Sequence, residues 1–385
     1  MTPTIDQAER VKVIAARMNR GQDTYAGRVD GWHKLGQVFG VFTTWKDMIV
    51  AAKADYQVVK KQLEWKGKLV DAWGTFRADN EPVKGAEDRA IRVQRPDGSI
   101  KFLTFLSSVG DGYEVIQHTE GFELMDELVG QIDGAHYETM GTLDYGSVVW
   151  GQVDPNISIK VGDDESKVLL SFLTSHDGSK AFDIYETAIR QVCKNTVRIG
   201  SLNRLAATLR VKHTKNSGKR IDNLKVEIEE IRSTAMTMQE RLNYLSRKRV
   251  TVESLTSIME RLFPKKAVEP GQQQERSTRR DNILAEILSI YEDNDGNQFP
   301  EQRGTPYNLL NAITNYTDHF RSTKGDMRAE SALFGSGDKL KTSALQTILE
   351  AAKGMPDKLF GSNGRGEGIN VDWETVGLKI PQSAR

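Results

Sequence analysis

Hydrophobic and polar positions alternate with a period of two over residues 55–108 and again over 136–185 of this 385-residue chain. That period is typical of half-buried β-strands. Asp-Gly pairs at 97–98 and 177–178 separate alternating runs and predict hairpin turns, and the runs flanking 145–146 predict a third hairpin. The pattern therefore indicates a mostly antiparallel sheet.

The spacing of apolar residues changes to 3.6 near Thr187 and favours helices from there to Lys353. The stretch AIRQVCKNTVR is predicted to lie in a helix over 188–199, with Ile189 and Cys193 on its apolar side. Other helices are predicted after the N-cap Thr44 and at 119–132, 252–262, 277–292, 306–321 and 339–353.

The longest predicted helix spans 221–245 and carries apolar residues at alternating spacings of three and four. This heptad seam suits a coiled coil or an antiparallel helix pair. A helix that faces the core of a bundle explains the same spacing equally well. The seam is formed by Ile221, Leu224, Ile228, Ile231, Ala235, Met238, Leu242 and Leu245.

These elements predict an α+β fold, in which a mostly antiparallel sheet with packed helices is followed by a helical C-terminal domain. The predicted organisation is an N-terminal segment at 1–24, an α+β sheet domain at 25–200, a helical domain at 201–353 and a flexible tail at 354–385.

The composition narrows the class of protein. The single cysteine, Cys193, excludes an internal disulfide and a cysteine-based zinc site, and its apolar neighbours favour a buried thiol over a catalytic one. No uncharged apolar run approaches the length of a membrane span, and the N-terminus does not resemble a secretory signal. We expect a cytoplasmic protein with no membrane partner, no cofactor and no resident metal.

Charge is segregated along the chain, although 53 basic and 53 acidic residues balance overall. Residues 102–159 contain ten acids and no Lys or Arg, whereas 187–221 contains nine bases and no acid. The basic block suits a phosphate backbone, while a solvated surface that pairs with the acidic block is the alternative. We predict sequence-independent phosphate contacts from Arg190, Lys194, Arg198, Arg204, Arg210, Lys212 and Lys215.

Four stretches carry a resemblance to a known family: GWHKLG at 31–36, GYEVIQHTEGFELMDELV at 112–129, ETMGTLDYGSVVWGQV at 138–153 and LTSHDGSKAFDIYETAIRQVCKNTV at 173–197. Over about residues 25 to 345 the chain resembles the uncharacterised phage- and plasmid-type family that is described as domain of unknown function 932. The resemblance implies carriage on phages, prophages and plasmids, and it implies no activity and no site residues.

The layout of strands at 136–185 followed by a helix at 188–199 is also similar, more faintly, to phage single-strand annealing proteins, which assemble into rings or filaments. We therefore expect a non-enzymatic protein that binds or anneals single-stranded DNA, with RNA as the alternative strand, in recombination or replication, and that self-associates. One alternative is an oligomeric scaffold that does not touch nucleic acid. The other is a metal-dependent nuclease that uses the acidic segment 102–159.

Overall fold

The computed structural model describes residues 26–27, 37–38, 44–66, 68–190, 196–198, 210–215, 228–265, 278–293, 299–321 and 328–357. The strands are β1 Ala26–Gly27, β2 Gln37–Val38, β3 Gln57–Trp65, β4 Lys68–Asp79, β5 Ala90–Gln94, β6 Ile100–Val109, β7 His136–Leu143, β8 Val148–Val161, β9 Asp164–Ser175, β10 Phe182–Arg190, β11 Thr196–Arg198 and β12 Arg210–Val211. The α-helices are α1 Trp45–Ala51, α2 His118–Val129, α3 Ile228–Ser246, α4 Val252–Leu262, α5 Thr278–Asp293, α6 Pro306–Asn315, α7 Arg328–Phe334 and α8 Ser336–Ala352.

The strands form two sheets. The larger has the order β11-β10-β9-β8-β7-β1-β2, with β12 also paired to β10, and the smaller has the order β3-β4-β6-β5. The pairs β7–β8, β10–β11 and β10–β12 are antiparallel, as is every pair of the smaller sheet, whereas β1 and β2 run parallel. The predicted α+β class, with a mostly antiparallel sheet and a helical C-terminal region, is confirmed.

The chain divides into two compact units. The first comprises Met1–Ile157, Val168–Glu186 and Asn203–Arg232, and the second comprises Ser158–Lys167, Thr187–Leu202 and Ser233–Arg385.

Glycine allows helix α2 to approach the sheet closely in the first unit. A Cβ atom on Gly121 would lie 2.2 Å from the ring of Phe172, and one on Gly151 of β8 would lie 2.7 Å from the ring of Phe122. The rings of Phe122 and Phe172 meet edge to face at 5.0 Å, and Phe182 lies 5.3 Å from Phe172. These buried rings form the core between α2 and the sheet.

The second unit is built around helix α6, which is buried at every position from Pro306 to Asn315. A helix surrounded in this way belongs to the interior of a bundle, and α6 packs against α5 and α8. The sequence predicted where α6 begins. The Thr305 hydroxyl accepts a hydrogen bond from the Asn308 amide, and Pro306 occupies the first turn.

The heptad helix is present from Ile228 to Ser246, and the first part of the predicted range, 221–227, lies outside the described residues. Its seam faces inward, since Ile231, Ala235, Met238, Leu242 and Leu245 are all buried. Within the described part of the chain, no helix combines the length and apolar character that crossing a bilayer requires.

The prediction of a helix over 188–199 was wrong. Residues up to Arg190 belong to β10, and Thr196–Arg198 form β11, which pairs antiparallel with β10 so that Ile189 lies opposite Thr196. Strand β10 is buried at every position from Phe182 to Ile189, so its last residues, beyond the predicted strand that ends at 185, show no alternation of buried and exposed side chains. A strand of this kind has no period-two signal, so the helical spacing of a few apolar residues was misleading.

Candidate nucleic-acid interface

The structure distributes the seven predicted phosphate-binding residues over several elements. Arg190 ends β10 and Arg198 ends β11, so they do not share the helix face that the sequence predicted. Lys194 and Arg204 lie outside the described residues, as does Cys193. Arg210, Lys212 and Lys215 all belong to one described segment, residues 210–215 of the first unit, which is called the basic segment below.

The basic segment alternates between outward and inward side chains. Arg210, Lys212 and Lys215 are exposed, whereas Val211 and His213 are 3% and 7% exposed. The alternation begins in β12, where Val211 lies opposite Phe182 and Arg210 lies opposite Asp183 of β10. Because successive side chains of an extended chain point to opposite sides, anchoring Val211 and His213 directs Arg210 and Lys212 to solvent. Lys215 is exposed beyond this alternation.

His213 is the main polar anchor of the segment. Its Nδ1 donates to the carbonyl oxygen of Glu114 at 3.1 Å, which leaves Nε2 to accept from the Thr174 hydroxyl at 3.2 Å. The imidazole stacks on Tyr113, with centroids 5.0 Å apart and planes inclined by 7°. Backbone bonding continues through a bridge between Tyr113 and Thr214 and a bond from the Glu114 amide to the His213 carbonyl at 3.3 Å. Burial lowers the pKa of His213, so the anchor is neutral at pH 7.

The cations of the segment form few ion pairs within the protein, so they can bind an external anion. Arg210 is 60% exposed, and its Nη2 lies 4.0 Å from Oδ2 of the buried Asp183, at the limit of an ion pair. Among the described carboxylates, none forms an ion pair with Lys212 or Lys215. A solvated cation can bind phosphate without first giving up a strong internal partner.

Two further histidines lie buried in the first unit. His118 Nε2 donates to the carbonyl oxygen of Ala54 at 2.7 Å, and its Nδ1 lies 3.2 Å from Nε2 of His176. Since Nδ1 of His118 must then accept, Nε2 of His176 carries the proton. Burial lowers the pKa of His118 to about 4 and that of His176 well below its ordinary value. Both rings are fully buried, which indicates a neutral structural pair rather than an exposed catalytic base.

The Asp-Gly turn that follows His176 is present as predicted. Gly178 has a positive φ of 77°, and the Ser179 amide donates to Asp177 Oδ1 at 2.8 Å. The Ser175 hydroxyl exchanges hydrogen bonds with the backbone of Lys180 at 2.8 and 3.2 Å. The adjacent Ser, His and Asp of this stretch therefore serve the turn and the core.

Sequence reasoning missed three groupings. It did not assign His213 as an anchor, although the alternation RVKH at 210–213 is visible. It did not join His136, Glu138 and Asp154, although an H-x-E spacing on a strand was a usable signal. It could not have joined Thr196, Asp318 and Lys341, which are far apart in the chain.

The fold and the basic segment define an α+β protein with an exposed cationic strand end. The chain belongs to the family described as domain of unknown function (DUF932), whose sequence model matches residues 105–335, more than half of the chain. No curated protein and no solved structure matches the chain.

Proposed function

We propose that this protein binds single-stranded DNA, without sequence specificity, through the basic segment. The observation that carries the proposal is the alternation in which Val211 and His213 are buried while Arg210 and Lys212 are exposed, with Lys215 exposed just beyond the alternating stretch. Cations held at the surface by a rigid backbone suit contacts to a phosphate chain, because such contacts need charge and position rather than base-specific geometry.

The proposal extends to strand annealing in recombination or replication, in a phage or plasmid setting. It also includes a cytoplasmic location and assembly into a ring or filament. An assembly would repeat the basic segment along one bound strand and so multiply a modest contact per copy. Arg190, Lys194, Arg198 and Arg204 would add phosphate contacts of their own.

The test is the salt dependence of binding to a labelled oligothymidine. For single strands, log K falls with log salt by about 0.7 per phosphate contact. Replacing Arg210, Lys212 and Lys215 by Ala should make the slope shallower by about 2 and weaken binding about 100-fold at 0.1 M salt. The charge-retaining variant Lys212→Arg with Lys215→Arg should bind as the unaltered protein does.

A matched control removes the same charge elsewhere in the first unit. Lys61, Lys68 and Arg95 are exposed, and their replacement by Ala should change affinity by less than threefold. An equal loss in both triple variants would show that overall charge, not the basic segment, holds the DNA. Oligoribothymidine in parallel titrations distinguishes RNA from DNA as the preferred strand.

Two other outcomes would replace the proposal. Self-association in light scattering without any retention of DNA would identify an oligomeric scaffold. Cleavage of the oligonucleotide that requires Mg²⁺ or Mn²⁺ would identify a metal-dependent nuclease.

Annealing is tested by adding complementary labelled strands to the binding assay and measuring the duplex that forms.

A further inference from the structure

Three side chains of types that commonly bind metals lie at the open end of the β7–β8 hairpin. His136, Glu138 and Asp154 each bring one potential ligand atom within 4.8 Å of the other two. His136 Nε2 lies 3.3 Å from Glu138 Oε2 and 3.8 Å from Asp154 Oδ2. All three residues belong to the first unit.

Strand pairing brings these residues together. His136 and Asp154 are directly opposite in the ladder between β7 and β8. The register shifts between Tyr137 and Thr139, so Glu138 is the extra residue of a β-bulge. Bulges redirect a side chain at a specific place in a sheet, and here the bulged carboxylate is turned to the imidazole.

Backbone groups orient the imidazole and one carboxylate from outside the cluster. His136 Nδ1 donates to the carbonyl oxygen of Gly134 at 3.0 Å and Nε2 faces Glu138 Oε2 at 3.3 Å, so Nε2 is the ring atom that is placed to bind a metal ion. Asp154 Oδ1 accepts from the Asn156 amide at 2.8 Å, while Oδ2 is the oxygen nearer to His136. Metal-binding histidines and carboxylates are held by outer hydrogen bonds of this type.

The electrostatics of the cluster favour a cation. The side chains of Glu138 and Asp154 are 11% and 5% exposed, and two carboxylates that are close together and shielded from water repel each other. Ligands about 2.0–2.1 Å from a tetrahedral Zn²⁺ lie about 3.3–3.4 Å from one another. The separation of 3.3 Å between His136 Nε2 and Glu138 Oε2 has this value, and Asp154 Oδ2, at 3.8 Å from Nε2, would move closer on binding the ion. His136 is 14% exposed, which leaves an approach from solvent.

We propose that His136 Nε2, Glu138 Oε2 and Asp154 Oδ2 form a site for a divalent transition-metal ion, with Zn²⁺ preferred over Mg²⁺. One imidazole and two carboxylates suit Zn²⁺ or Mn²⁺, whereas Mg²⁺ favours oxygen ligands and retains its water. Three protein ligands leave at least one coordination position for water or for an anionic ligand. The site is independent of the proposed DNA binding, which uses other residues.

The test is calorimetric titration of the full chain. The protein is first stripped of metal with a chelator and is then titrated separately with Zn²⁺, Mn²⁺ and Mg²⁺. We expect one Zn²⁺ per chain, weaker Mn²⁺ binding and no measurable Mg²⁺ binding at the same concentrations. Co²⁺ in place of Zn²⁺ should give the visible absorption of a nitrogen- and oxygen-ligated ion. Thermal unfolding should shift upward with Zn²⁺, because the ion binds the folded chain.

The variants His136→Ala, Glu138→Gln and Asp154→Asn should each weaken Zn²⁺ binding at least 10-fold. The two amide variants keep the shape of the side chains, and circular dichroism checks that they fold. Glu123→Gln is the matched control, because Glu123 is an exposed acid of the same acidic stretch on α2. It should leave Zn²⁺ affinity unchanged.

Three results would overturn the proposal. These are no uptake of Zn²⁺, uptake that survives all three ligand variants, and an equal loss in Glu123→Gln, which would indicate diffuse attraction by the acidic surface. DNA retention measured on the same proteins distinguishes this failure from failure of the proposed function, since neither depends on the other.

Discussion

The ammonium group of Lys341 on α8 donates a hydrogen bond to Asp318 Oδ1 at 2.7 Å, and both side chains are completely buried. Lys341 also donates to the Thr196 hydroxyl. Thr196 in turn donates to Asp318 Oδ2 through its amide at 2.8 Å and through its hydroxyl at 3.0 Å. The three residues form a closed polar network inside the second unit.

The position of Asp318 depends on a local change in helix geometry. Helix α6 continues as a π-helical turn over Tyr316–Phe320, and Asp318 lies in this turn. A π-turn rotates side chains relative to the preceding α-helix. The carboxylate thereby reaches strand β11 and helix α8 at once, and its hydrogen bonds offset part of the cost of removing the two charges from water.

The first prediction concerns the stability of the second unit. Asp318→Asn should lower the free energy of unfolding by about 3–5 kcal/mol, because it leaves the Lys341 charge buried without its counter-ion. Urea unfolding followed by far-ultraviolet circular dichroism, which reports the helices, measures the loss.

Two further variants test that explanation. Lys339→Met alters an exposed lysine of the same helix and should change stability by less than about 0.5 kcal/mol. The double variant Asp318→Leu with Lys341→Met should be more stable than Asp318→Asn, because it removes both charges. If Asp318→Asn were as stable as the unaltered protein, the ion pair between Asp318 and Lys341 would not stabilise the fold.

The second prediction is a loss of stability in acid. Burial holds the pKa of His118 at about 4 and lowers the pKa values of His176 and His213. A histidine with a lowered pKa stabilises the fold fully above its unfolded pKa of about 6.5, and this stabilisation decreases as the pH falls toward the folded value. His118 alone should cost about 1.4 kcal/mol at pH 5.5 relative to pH 7.5.

Urea midpoints measured between pH 7.5 and pH 5 check this dependence. His118→Gln retains a donor for the Ala54 carbonyl but does not titrate, so its stability should vary less with pH over this range. A pH dependence identical to that of the unaltered protein would show that His118 is not a source of the acid sensitivity.

The third prediction tests the close approach of α2 to the sheet. Gly121→Ala should destabilise the protein by about 1–3 kcal/mol, because the added methyl group meets the buried ring of Phe172 and outweighs the gain in helix propensity. Gly110→Ala is the control, since its Cβ would meet nothing within 4 Å. Thermal unfolding of the two variants should therefore differ clearly, and equal midpoints would refute the steric argument.

The fourth prediction separates the position of the basic segment from its charge. His213→Ala removes the contacts to Glu114 and Thr174 but leaves every cation in place. Because the bound strand must then immobilise the segment, affinity for oligothymidine should fall about 3- to 10-fold. The slope of log K against log salt should stay unchanged, unlike in the variants that remove cations.

Thr214→Ala provides the comparison for His213→Ala, because Thr214 is an exposed neighbour in the same segment. It should leave both affinity and slope unaltered. A changed salt slope in His213→Ala would indicate that the histidine itself contributes charge to binding.

Local signals predicted much of the fold. The hairpin turn predicted around Tyr145 and Gly146 is present between β7 and β8, and Asp144, Tyr145 and Gly146 have positive φ values of 48°, 58° and 97°. The Thr44 cap precedes α1, and the Asp97–Gly98 turn joins β5 to β6. Each of these features depends on residues only a few positions apart, so composition and spacing are sufficient to predict it.

Of the candidate site, the sequence predicted exposed cations at Arg210, Lys212 and Lys215, and all three are exposed. It did not predict that Val211 and His213 hold the segment, because the groups they contact lie elsewhere in the chain. It wrongly placed Arg190 and Arg198 on one helix. Their local sequence fits a helix, and only the pairing of β10 with β11 makes the segment extended.

The sequence by itself therefore determined the alternating strands, the capped helices and the segregation of charge, since these follow from the periodicity and preferences of neighbouring residues. The tertiary structure alone decided the continuation of β10 to Arg190 and its pairing with Thr196–Arg198, the grouping of His136, Glu138 and Asp154, and the buried contact between Lys341 and Thr196 across 145 residues. The physical reason is that burial on every side and contacts between distant residues are properties of the folded chain, which no local pattern contains.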